Sequence, residues 1–319
     1  MAKRRKKRYK KNKKVNVAFC LIAAVLLSAF ILVSLSEKMK FEYIPTISEV
    51  KEFFMGKKPT NINSDCSVHF IDVGQGDSAL IVSDKQTILI DAGENDKGRI
   101  VADYLRKQKV KKIDLLVATH PHSDHIGGMD TIINEFEIGQ IVMPKLPSKL
   151  VPTTRTYTDV LSAIANKGLK ITPSKPEMTF HFGKGELKIL GPVDEFEELN
   201  ETSLVAQFKY DNDESFLFTG DMEMNSETAL LNTGKNIQSN VLKVAHHGSS
   251  SSTNKKFFEK VNPDYCIISV GDGNKYNHPN KTTLDLIKSN NKHLYRTDYS
   301  GSVVFHIVNG EFKIETTHS

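Results

Sequence analysis

Apolar and polar residues change their rhythm at Val68. From there VHFIDV, SALIVS and QTILIDAG read as three short strands, and GRIVADYLRKQKV reads as a helix leading into the apolar run IDLLVA. A helix (MDTIINEF), a strand (GQIVMP) and a further helix (TDVLSAIANKG) are expected next. Two hairpins follow: MTFHF with ELKIL around GKG, and TSLVAQFKY with SFLFTGD across DND. Beyond them NSETALLN, TNKKFFEKV and TTLDLIKS read as helices, while SNVLKVAHH, DYCIISVG and SGSVVFHIVNG read as extended. Short connections and no internal repeat predict one α/β domain over residues 66–319, with helices packed outside the sheets. Early hairpins in both halves favour two mixed sheets over one parallel sheet.

The first 65 residues follow a different plan. Residues 18–36, AFCLIAAVLLSAFILVSLS, run without a charge for nineteen residues, enough to span a bilayer as a helix. The expected organisation is a basic cytoplasmic tail (1–14), a transmembrane signal-anchor helix (15–36) and a stalk (37–65) broken by Pro45 and Pro59. Everything after Glu37 then lies outside the membrane. Cleavage near Ser34 or Ser36, giving a secreted form, is the alternative; a lipoprotein is disfavoured because Cys20 opens the apolar run.

Charge alters one inference. The whole chain carries +5, but ten Lys or Arg stand between Lys3 and Lys14, so the remainder carries −5. Bulk electrostatics therefore gives no reason to expect nucleic-acid binding, and a polyanion would need a local patch or metal ions. The basic tail is suited to anionic lipid. Of the cysteines, Cys66 and Cys266 belong to the outer part, and no bridge between them is expected.

The candidate chemistry begins at THPHSDHIGG. His120, His122, Asp124 and His125 follow the strand Ile113–Ala118, so their side chains can converge, and imidazoles with a carboxylate suit zinc, manganese or iron. Asp72, Asp91, Asp221, the pair His246 and His247, and His278 also follow apolar runs, and ligands gather at such strand ends. Two divalent ions explain the set. Asp221 is the expected bridge, His120 and His122 serve one ion, Asp124 and His125 the other, and His278 with His246 or His247 completes the shells. A turn or cap is the competing role for Asp91. Other chemistries fit less well: VGQGDS lacks the third glycine of a dinucleotide site and precedes a strand, no G-x-S-x-G occurs, SSSST (249–253) reads as a flexible loop, and no C-x-x-C pair exists.

These residues resemble the metallo-β-lactamase-fold hydrolases, with THPHSDHIGG as the metal signature, LIDAG before it and FTGD after it. HFIDVGQGDSALI, LNETSLV, LKVAHHGSSSST and IISVGDGNKYNHP are similar, in order, to the hydrolase domain at the C-terminus of the competence protein ComEC. The resemblance implies an αββα four-layer sandwich and a two-metal hydrolytic site, zinc first and manganese second, working through a bridging hydroxide. Asn200 stands where many of these hydrolases place another histidine, so His246 or His247 is expected to replace it, and His122 stands where that branch often has aspartate. Whichever of Asn200, His246 and His247 does not ligate is expected to hydrogen-bond an oxyanion. Asp124, Asp221, Asn200 and His247 are thus the expected catalytic residues. Asp72, Asp77 and Asp91 are expected to orient the ligands from behind, with a tight turn as the alternative for Asp72 and Asp77.

The likeness implies a phosphodiester substrate, DNA first, and an uptake-channel protein as a possible partner. A choline-phosphate esterase on teichoic acid or another wall polymer, an ester or lactone hydrolase, and a non-catalytic DNA- or partner-binding domain are the alternatives.

Overall fold

The computed structural model describes residues 62, 64–211 and 214–318. The expected tail and membrane span, and all but a few residues of the stalk, lie outside the described residues, as does the tip of the DND turn. Among the described residues no helix is long and apolar enough to cross a membrane.

Among the described residues fifteen strands form two sheets. The first contains β1 (Cys66–Phe70), β2 (Ala79–Ser83), β3 (Gln86–Ile90), β4 (Lys112–Val117), β5 (Glu137–Met143) and β6 (Ile171–Pro173). Their order is continued past β1 by β14 (Val303–Val308) and β15 (Glu311–Thr316). The second sheet runs from β7 (Thr179–Phe182) through β8 (Gly185–Gly191), β9 (Val205–Tyr210), β10 (Glu214–Phe218), β11 (Val241–Lys243) and β12 (Tyr265–Ile268) to β13 (His293–Arg296). Each sheet combines antiparallel hairpins with a parallel set, β3 to β6 in one and β10 to β13 in the other.

Alternation along the strands divides the core into layers. Ile81, Ile88, Phe216 and Phe218 face the space between the sheets, together with Phe70, Phe208 and Phe305. Their neighbours Leu80 and Leu89 point the other way, beneath α1 (Gly98–Lys107), α3 (Met129–Glu135) and α4 (Arg155–Asn166). Leu217, Leu242 and Ile268 meet Leu230 of α5 (Met224–Asn232), Phe257 and Phe258 of α6 (Lys255–Val261) and Ile287 of α7 (Lys281–Ser289) on the opposite side. The four layers follow from this alternation. The parallel strands carry their connecting helices outside, so all their carboxyl ends meet along one edge.

Some expectations shift. The hairpin strand read from Thr202 begins at Val205, because residues 200–202 form a 3-10 turn and Leu204 donates its N–H to Thr119 O. The extended run read through His247 ends at Lys243 and gives way to a tight turn. Strands β6, β13 and β15 are additional; they are short or half-exposed and lack a strong apolar signature. Two single-turn helices, α2 (Ser123–Ile126) and α8 (Thr297–Ser300), are also additional. Cys66 and Cys266 are buried free thiols in different core layers.

His69 illustrates a buried polar residue away from the carboxyl edge. Its Nε2 meets Ser67 Oγ at 2.8 Å and its Nδ1 meets Tyr104 Oη at 2.9 Å, with the His306 ring 6.3 Å away. Burial, and then His306, push its pKa down to about 3 from 6.5. The unfolded chain therefore takes up this proton first, and stability present above pH 6.5 is lost as pH falls toward 3, by at most about 1.4 kcal/mol per pH unit. The loss of melting temperature between pH 7 and pH 5 is expected to be smaller in His69→Gln than in the unsubstituted protein; equal losses would refute this assignment.

Candidate metal centre

The carboxyl ends of β3 and β4 build the first half of the centre. Asp91 follows β3 with φ 58 and turns its carboxylate beneath the histidine loop. It accepts from Thr119 N at 2.8 Å, from Thr119 Oγ1 at 2.6 Å and from His125 Nδ1 at 2.8 Å. The carboxylate thereby fixes the exit of β4 and turns the other nitrogen of His125 toward Asp221. His120 and His122 precede α2, which carries Asp124 and His125.

The GQGD loop holds α2 from the other side. Asp77 N donates to Asp124 O at 3.0 Å, and a Cβ placed on Gly76, whose φ is +124, would lie 2.3 Å from that oxygen. Only glycine tolerates both the backbone angle and the approach. Asp72 accepts from Gly74 N at 3.0 Å and donates its own N–H to Ser302 Oγ at 2.9 Å. It closes the turn, and the structure gives it no bond to any of the histidines. Asp77 instead lies behind the centre, 2.7 Å from Lys243 Nζ and 3.4 Å from His247 Nδ1.

The second half comes from β10 and β11. Asp221 is 2% exposed, and Ser203 Oγ accepts from its backbone N–H at 3.1 Å. His246 and His247 both take left-handed angles, φ 49 and φ 52, at about 1–3 kcal/mol of strain each. This turn sends adjacent side chains to different acceptors. His246 Nδ1 donates to Glu223 Oε1 at 3.0 Å, and His247 Nδ1 donates to Ser269 O at 2.8 Å.

Asp221 is where the halves meet. Its Oδ1 lies 3.2 Å from His125 Nε2, and its Oδ2 lies 3.5 Å from His247 Nε2, 3.8 Å from His246 Nε2 and 3.9 Å from His120 Nε2. His247 Nε2 is also 3.2 Å from Asp124 Oδ2, and His120 Nε2 is 3.0 Å from His122 Nδ1. Donor atoms of Asp124, His125, Asp221 and His247 all fall within 4.8 Å of one another. His125, His246 and His247 share one arrangement: Nδ1 is tied to an acceptor and Nε2 faces the carboxylate, as metal-ligating imidazoles require. His125 Nε2 and Asp221 Oδ1 are buried without a hydrogen bond despite their proximity. A divalent cation fits this donor set. In a second close group, Asp77, Asp91 and His125, the Lys243 ammonium already offsets Asp77, and Asp91 is already hydrogen-bonded by Thr119 and His125.

The charges reinforce the fit. Burial disfavours a charged Asp221, but His125 and His247 outweigh it and hold the carboxyl well below its usual range. Burial likewise opposes charge on His247, yet Asp221, Asp124 and Asp77 push that ring up to about 10. Burial and the neighbouring His125 push His120 well down.

A cleft of about 270 Å³ opens over Asp221, walled by His122, Asp124, Asn200, His246 and His247. Asn200 Nδ2 donates to Glu223 Oε1 at 3.2 Å. His278 stands at the mouth with its ring 5.3 Å from that of His246 and outside the tight donor group. Lys243 and Glu223 were not singled out from the sequence, though a lysine in the apolar run LKVA and an acid two residues after Asp221 were the available signals. The SSSST segment is not a loose loop. Ser251 Oγ donates to Glu223 Oε1 at 2.9 Å, Ser252 Oγ donates to Ala245 O at 2.9 Å, and Thr253 N donates to Glu227.

Residues 71–272 match the metallo-beta-lactamase superfamily, and the chain belongs to it. It is similar to ComE operon protein 3 of Bacillus subtilis (strain 168), with 29% identity over 274 residues, 79% of this chain and 35% of that protein. Recombination protein 2 of Haemophilus influenzae is 25% identical over 298 residues, 92% of this chain and 32% of that protein. The chain thus spans about a third of the length of these relatives, which bear out the ComEC-like resemblance. Among solved structures CmlA, a diiron β-hydroxylase from Streptomyces venezuelae, shares the fold with a TM-score of 0.53 and 13% identity, covering 82% of this chain and 60% of that one.

Metal analysis of dialysed protein separates the roles of these residues. Gly76→Ala and Asp221→Ala are expected to lose bound divalent ion with unchanged far-ultraviolet circular dichroism, while Asp72→Ala retains it. Full metal content in all three would show that Asp221 and the Asp124 approach do not build the centre.

Proposed function

We propose that this chain is a divalent-metal-dependent phosphodiesterase that cleaves DNA. The observation that carries the reading is the presentation of four imidazole Nε2 atoms to the buried carboxylate of Asp221, at an open cleft. His120, His122, His246 and Asp221 would hold one ion, and Asp124, His125, His247 and Asp221 the other. Zinc suits this nitrogen-rich set, and manganese is the second candidate. Bound there, such ions polarise a phosphoryl oxygen and lower the pKa of water.

The protein's own groups supply position and charge. Asp91 keeps His125 turned toward Asp221, the Ser269 carbonyl does the same for His247, and Lys243 neutralises Asp77 behind them. Asn200 retains one N–H after bonding Glu223, which suits it to hydrogen-bond a developing oxyanion. Among the described residues no aliphatic side chain lines the cleft, whose residues carry imidazole, amide, hydroxyl and carboxylate groups; this favours a phosphodiester over an acyl ester, which would want an apolar pocket. DNA is supported by similarity to a protein named for recombination.

The apolar run over residues 18–36 and its basic flank support a single anchor, with the tail in the cytoplasm, residues 66–319 outside as the hydrolase domain and an uptake-channel protein as partner. Residues beyond Glu37 are expected to be cut by protease added to intact cells. Protection there would move the centre to the cytoplasmic side.

Full-length protein in detergent, loaded with zinc or manganese, is expected to cleave DNA, and Asp221→Ala to lower the rate by more than about a hundredfold. Cleavage of a choline-phosphate ester without cleavage of DNA would redirect the reading to wall polymers. Loss of neither activity in the variant would remove the centre from the reaction.

A further inference from the structure

Tyr276 projects at the mouth of the cleft and is 51% exposed. Single exposed aromatics are common on protein surfaces, but this one lines the same cleft as Asp221 and belongs to a braced loop. Asn274 Oδ1 accepts from Tyr276 N at 3.2 Å and from His278 N at 3.1 Å. Its Nδ2 donates to Gly271 O at 3.0 Å and to His278 O at 2.6 Å. Gly271 N in turn donates to Gln75 Oε1 at 3.3 Å, and a Cβ on Gly271 would lie 2.6 Å from Gln75 N. The loop bearing Tyr276 is therefore seated on the GQGD loop that fixes Asp124. The tyrosine ring stacks on His278, with centroids 5.8 Å apart and planes 26° from parallel. Lys275 Nζ, on an exposed side chain, lies 5.0 Å from the ring centroid.

An aromatic on a braced loop, with an exposed ammonium over its ring that an incoming base can displace toward a phosphate, next to a site suited to phosphodiesters, has the parts of a nucleotide platform. We propose that Tyr276 stacks a nucleobase flanking the scissile phosphate and that Lys275 pairs with the neighbouring backbone phosphate. Aromatic stacking of this kind tolerates any base, because every base has a flat π-face. A base that stacks on Tyr276 must leave its own duplex, so the favoured substrate is single-stranded DNA. The inference rests on the nuclease reading and adds the form of the substrate and the residue that selects it.

The test is steady-state cleavage by full-length, metal-loaded protein of a single-stranded oligonucleotide and of an abasic oligonucleotide of the same length. Tyr276→Ala is expected to raise KM on the base-bearing strand at least about fivefold with kcat nearly unchanged, and Tyr276→Phe to retain the original KM. On the abasic strand all three proteins are expected to behave alike, which a merely structural role for Tyr276 would not produce. Equal effects of Tyr276→Ala on both strands, or none on either, overturn the stacking role and leave the nuclease reading intact. Absence of any cleavage that depends on Asp221 overturns both.

Discussion

The burial of Asp221 is the constraint around which the carboxyl edge is arranged. A carboxylate withdrawn from water is costly unless positive charge or donors surround it. Here the surrounding groups are imidazoles delivered by both sheets, at distances of 3.2 to 3.9 Å. Each imidazole with its far nitrogen tied elsewhere has one orientation left, so the centre is defined as much by Asp91, Glu223 and the Ser269 carbonyl as by the residues facing the cleft.

This arrangement explains why so many rare local features occur together. Asp91, His246 and His247 accept left-handed backbone, and Gly76 gives up its Cβ, where the chain must turn sharply between a strand and the centre. Lys243 performs a related task in the interior. It is 3% exposed, and its ammonium offsets Asp77, which would otherwise add another uncompensated negative charge behind His247. Left-handed backbone at Asp91, His246 and His247 and the buried charges of Asp77, Asp221 and Lys243 coincide at this edge, while the alternating apolar residues of the strands supply the stability that sustains them.

Much of the fold was legible in the sequence because its strands and helices have distinct periods. Leu80 and Ile81, or Phe216 and Leu217, face opposite layers in the way that strand alternation requires. Strands β13 and β15 escaped that reading because they lie at sheet edges, where HLYR and EFKIET need only partial burial. The histidine and aspartate positions were visible as polar residues after apolar runs. Their division of labour was not: Asp72 and Asp77 sit in one short motif, yet one closes a turn and the other meets Lys243 from far along the chain. The SSSST stretch misled for a similar reason, since its composition suggests mobility but its hydroxyls and amides have acidic partners on and before α5.

The close approach of Asp124 and His247, 123 positions apart in sequence, has a consequence for the whole domain. One of these residues follows the first sheet's β4 and the other follows the second sheet's β11. A cation shared between them would clasp the two sheets together and would find no comparable site in the unfolded chain. Folding and metal uptake then become one linked equilibrium, in which each tenfold rise in free ion above the dissociation constant adds about 1.4 kcal/mol to stability. The durability of the domain would be set in part by the ionic composition of the fluid around it.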